Sequence, residues 1–197
     1  MNTARRLVSL VAIAVAAGSQ LQAQSAQAIS VQLSALYNGV YGDVFTGLKA
    51  GYGAEGQIRY TPGALSIGAG FQYTTHGLEN RMEDTRLYGG FLEPRYRIHT
   101  GSNVVAPYLS GRLSLLKVGF SGGDLTLSSS FIQLNAGGGL LYRVGPRLNL
   151  DFGATFGYNR LGSGTLRSES SQNEIEIDSS SGTNLVVRFG FALGLGG

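Results

Sequence analysis

The chain has no cysteine and no tryptophan, and only two lysines, two histidines and four prolines among 197 residues. Without cysteine there is no disulfide framework, no thiolate chemistry and no lipid-carrying cysteine to anchor an exported protein. The lysines are Lys49 and Lys117, and only 14% of residues are charged, well below the roughly 25–35% of a water-facing surface. Long apolar runs are also missing. The longest uncharged apolar stretch, residues 7–18, falls short of the roughly 18–20 residues that cross a bilayer as a helix. No segment carries the 3.6-residue period of a surface helix.

That short run follows Arg5 and Arg6 and precedes a small-residue stretch, the layout of a secretory signal peptide. Residues 1–28 read as the signal, with cleavage after Ala28, or alternatively after Ala23, and residues 29–197 as a single domain. Removing two arginines from fifteen basic residues leaves thirteen against twelve acidic ones. The positive balance is therefore mostly lost with the signal, and nothing points to nucleic acid.

What is abundant is alternation. Eight stretches alternate apolar and polar residues for about ten positions each, near 30–38, 48–60, 65–74, 88–98, 105–115, 132–143, 148–159 and 185–195. Period two is the strand signal, and runs near ten residues suit tilted strands crossing a membrane. Short turns at 61–63, 99–103 and 145–146 alternate with longer connectors at 76–85, a Gly/Ser stretch before 132, and 160–183. The expected fold is an all-β, closed, up-and-down antiparallel transmembrane barrel of eight strands. Pro94 and Pro107 each remove a ladder donor, so a bulge or frayed pairing is expected at their rim.

The same pattern would fit a soluble lipocalin-like barrel with its apolar rows inside. The polar rows argue for lipid outside, being rich in Gly, Ser, Asn and Gln and poor in Lys. On the apolar rows, Tyr60, Tyr96 and Tyr142 lie beside short turns, and Tyr37, Tyr73, Tyr88 and Tyr158 lie near long connectors. Two tyrosine rings at opposite ends are expected as aromatic girdles at the membrane interfaces. The inward rows then carry Lys49, Arg59, Arg95, Arg97, Arg112, Arg143 and Arg188 with Glu55, Glu93 and Asp151. An eight-stranded barrel is only wide enough for its side chains to fill, so a structural lumen charge network is expected. The basic excess leaves a narrow solute channel as an alternative.

A lipid-modifying enzyme is a further alternative, but no nucleophile–base set can be assembled. His76 is expected in an external connector and His99 in a turn at the opposite end. Glu169, Glu174, Glu176 and Asp178 lack a metal-loop spacing and read as a solvated loop or hairpin extension, so no catalytic residue, metal or cofactor is expected. Loop 160–183 is the best place for a surface ligand.

With signal, strand rhythm, connectors and tyrosines in hand, the chain resembles the small outer-membrane β-barrels grouped around the OmpA barrel domain, OmpX and OmpW, often labelled porin-like. The resemblance covers residues 29–197 and rests on architecture rather than a short motif. It implies a cell outer-membrane location, a polar-filled lumen and roles in envelope integrity, adhesion or uptake. It also implies a monomer whose partners are outer-membrane lipids and the assembly machinery. The chain departs from the group by ending in Leu-Gly-Gly rather than on an aromatic residue.

Overall fold

The computed structural model describes residues 28–42, 45–79, 84–122, 125–162, 164–168, 174–177 and 180–195. The expected signal segment lies outside the described residues apart from Ala28. All regular elements described are strands: β1 Ile29–Tyr41, β2 Leu48–Tyr60, β3 Leu65–Leu78, β4 Asp84–Arg97, β5 Val105–Gly122, β6 Leu125–Arg143, β7 Leu148–Leu161, β8 Gly164–Ser168, β9 Glu174–Ile177 and β10 Ser180–Leu195.

Each barrel strand pairs with its sequence neighbours, and β1 pairs with β10 along its whole length, from Ile29 opposite Leu195 to Tyr41 opposite Thr183. The β5–β6 ladder completes the circuit. Strands β1–β7 and β10 thus form a closed eight-stranded antiparallel barrel with no free edge, the arrangement that pairs backbone groups without solvent. The short connections span 61–64, 98–104 and 144–147.

The apolar rows face outward. Leu134 is 62% exposed and Leu115 64%, while polar residues such as Gln32, Thr74 and Asn135 are buried inside. This inverts a water-soluble protein and overturns the lipocalin-like alternative, whose apolar rows would line the interior.

Several local expectations change. The Gly/Ser stretch before 132 is not a loop: β5 and β6 run on as a ladder to Gly122 opposite Leu125. At about 3.3 Å per residue, the 19-residue β6 extends about 60 Å, twice the hydrocarbon thickness, so the hairpin projects beyond it. Strand β8 pairs with β6, and β9 pairs with β8. The alternating 174–177 segment therefore widens the β6 hairpin rather than prolonging β10. The β4–β5 ladder lapses between Leu92–Leu113 and Arg95–Ser110 without a register shift, as the missing donor of Pro94 requires, whereas Pro107 sits in an unbroken ladder with β6.

At the long-loop mouth, the β1–β2 connection folds inward. Gly42 (φ 104°) and Gly47 (φ 80°) take left-handed conformations that turn the chain, and Phe45 N–H donates to the Gly42 carbonyl at 2.9 Å. Phe45 is buried against inward-facing Leu87, Leu116, Val118 and Phe131, its ring stacked on Phe131 at 5.8 Å.

Candidate functional site: a charged interior

Because inward positions recur at every second residue, the barrel brings side chains from opposite walls to the same depth. Glu93 on β4 is the hub and is fully buried. Arg188 Nη1 on β10 lies 2.5 Å from Glu93 Oε2, Arg59 Nη2 on β2 lies 3.2 Å from Oε1, and Arg95 Nε also donates to Oε1. Arg112 on β5 pairs with Glu55 on β2 and stands 3.8 Å from Glu93. Its guanidinium also lies over the Phe91 ring, 3.5 Å from the centroid.

Asp151 on β7 is the second anchor. The Tyr108 hydroxyl donates to Asp151 Oδ1 at 2.5 Å, Gln32 Nε2 donates to Oδ2, and Arg95 Nη1 stands 2.8 Å from Oδ2 as an ion pair off the hydrogen-bond axis. Arg188 Nη2 donates to the Tyr108 oxygen at 3.2 Å, Gln57 Nε2 to Gln32 Oε1 at 2.8 Å, and Arg59 Nη2 to Gln57 Oε1 at 3.0 Å. A closed circuit results: Arg59, Gln57, Gln32, Asp151, Tyr108, Arg188, Glu93 and back to Arg59. It ties together β1, β2, β4, β5, β7 and β10 across the lumen.

Glycines make the room. A Cβ on Gly153 would meet Arg188 Nε and the Tyr108 hydroxyl oxygen, each at 2.6 Å.

Of the ten charged residues read as inward from the sequence, the structure brings Glu55, Arg59, Glu93, Arg95, Arg112, Asp151 and Arg188 together. Arg97 is buried nearer the short turns, donating to the Gly63 carbonyl at 3.1 Å, and Arg143 is half-buried at that rim. Lys49 is a correction. A register shift between Leu48 and Gly51 breaks the inward parity there, and Lys49 is exposed. Its backbone carbonyl instead accepts from His76 Nδ1 at 3.0 Å. His76 is a second correction: it lies on β3, fully buried with its Nε2 3.1 Å from Thr74 Oγ1, not in an external connector. His99 is exposed in the β4–β5 turn, at the other end of the barrel.

Tyr108, Gln32 and Gln57 were not singled out in the sequence, although their positions on the inward rows are the signal that marks them. Tyr60, Tyr73, Tyr96, Tyr142 and Tyr158 are exposed on the outer face, and Tyr37 and Tyr88 are half-buried there. Tyr37 packs edge-on against Tyr52 at 5.5 Å, and Tyr73 stacks on Tyr88 at 6.5 Å. The acidic side chains at 169–178 lie outside the described residues.

The fold is that of small outer-membrane barrels. The chain is similar to Neisserial surface protein A (NspA), with a TM-score of 0.60 and 22% identity over 85% of this chain and 97% of that one. It is similar to OprG of Pseudomonas aeruginosa, with a TM-score of 0.54 and 11% identity over 88% and 98%. It is also similar to a major outer membrane protein of Thermus thermophilus, with a TM-score of 0.51 and 18% identity over 84% and 99%. No protein-family model and no curated protein matches the chain.

Proposed function

We propose that this protein is an integral outer-membrane barrel with a structural or surface-interaction role, its lumen closed by a charge network and performing no catalysis. The observation that carries this reading is the Glu93-centred circuit, which fills the interior with paired side chains between opposite walls. A conducting pore would need a continuous water path, and this one is crossed by buried ion pairs and topped by the Phe45 cluster. The outward apolar rows support lipid as the surrounding medium, and the exposed tyrosines suit its interfaces. The partners that follow are outer-membrane lipids and, through the segment between β7 and β10, a surface ligand.

Membrane fractionation with protease shaving of intact cells tests location and topology together. Cleavage confined to the long connections, with the protein in the outer-membrane fraction, is expected. Recovery in a soluble fraction, or cleavage at the short turns in intact cells, would refute the reading.

A further inference from the structure

Positive charge exceeds negative charge inside the barrel. Among the described residues, the charged side chains that meet in the network are Arg59, Arg95, Arg112 and Arg188 against Glu55, Glu93 and Asp151, four cations to three anions. Uncompensated charge in a low-dielectric interior is costly, so an excess held this way calls for a counter-charge. Towards the short-turn end lies a cavity of about 10 Å³ whose lining includes Ser30, Arg59, Ser66, Arg95, Arg97 and Asn149. This is roughly the room that one water-sized particle occupies. Two of the guanidinium groups that line it keep donors to spare. Arg95 Nη2 and Arg59 Nε are buried and make no hydrogen bond to the protein.

We propose that this cavity is a binding site for a small monatomic anion, chloride under physiological conditions. Its size excludes phosphate and carboxylate ligands, and its donors come from side chains already fixed by Glu93, Asp151 and Ser66. The ion completes the charge balance of the network without opening a path, because Gln32, Arg59 and Tyr108 of the Glu93 circuit wall the cavity and the Phe45 cluster closes the other mouth. The site is independent of any surface role for the loops.

The test uses the folded, full mature chain in detergent micelles. Thermal unfolding is followed in sodium chloride and in sodium gluconate at equal ionic strength, and crystals grown in bromide are measured for anomalous scattering. A midpoint that rises with chloride and saturates, by about 2–4 °C, is expected, as mass action on a folded-state site requires. A bromide peak between Arg59 and Arg95 is expected with it. The isosteric Asn149→Asp variant supplies a carboxylate inside the cavity, so its midpoint should become indifferent to the choice of anion. Equal midpoints in chloride and gluconate for the unsubstituted chain, or a cavity without bromide, would overturn the proposal.

Discussion

Arg188 and Glu93 meet at 2.5 Å although their strands, β10 and β4, stand diametrically opposite in the ring of eight. A single ion pair thus spans the lumen, and Glu93 holds Arg59 and Arg95 as well. The pair braces the two walls against each other from inside, both side chains buried.

Glu93→Gln should therefore be among the most damaging single changes to stability. It leaves Arg59, Arg95, Arg112 and Arg188 short of counter-charge, and breaking such a pair costs about 3–5 kcal/mol. The heat-modifiable gel shift of the folded barrel should move to distinctly lower temperature. Combining it with Arg188→Gln should cost less than the sum of the two single changes, because the second removes a charge the first orphaned.

Phe91→Leu should weaken the barrel by about 1–2 kcal/mol through loss of the Arg112 ring contact. Arg112→Lys should do at least as much harm while keeping the charge, since a point cation cannot stack on Phe91 and also direct one nitrogen to Glu55 and another towards Glu93. Urea-unfolding midpoints in detergent would rank the two.

Gly153→Val should be far worse than Ala154→Val one residue on. The first drives methyl groups into Arg188 and Tyr108, with an overpacking cost of about 1–3 kcal/mol, whereas Ala154 points outward into open surface. Refolding yield of the two variants in the same detergent is the measurement.

Phe45→Ala should loosen the β1–β2 connection without opening the barrel. The stacked contact with Phe131 is lost, at up to about 3 kcal/mol locally, and cleavage in the 42–47 loop should accelerate. The gel shift of the barrel itself should change little.

Much of this architecture is legible in the alternation alone. Strand β2 runs over the residues whose alternation marks it, 48–60, because every second position there is plainly apolar. Legibility fails where apolar residues occupy both faces. Leu87, Leu116, Val118 and Phe131 point inward at the long-loop end, so the pattern there loses contrast and the strands look shorter than they are. The bulge that exposes Lys49 leaves no mark in composition, since a one-residue slip is a matter of pairing. His76 was hidden for a similar reason: a polar residue on the inner row of a barrel looks like a connector residue.

The interior charges divide in the same way. Parity alone picks out Glu55, Glu93, Arg112 and Arg188 as inward, but not which of them meet. Partners such as Arg188 and Glu93 lie 95 residues apart, and only closure of the β1–β10 seam brings their walls face to face. Tyr108 illustrates the limit, because an aromatic on a polar row becomes a network member only once Asp151 and Arg188 are seen to share its hydroxyl.

The most direct measurement is a planar-bilayer recording of the purified, folded barrel. A lumen filled by the Glu93 circuit predicts a membrane current that stays at baseline under applied voltage. Stable unitary conductance steps from the unsubstituted chain, anion-selective as the network's four arginines against three carboxylates would make them, would contradict the closed lumen.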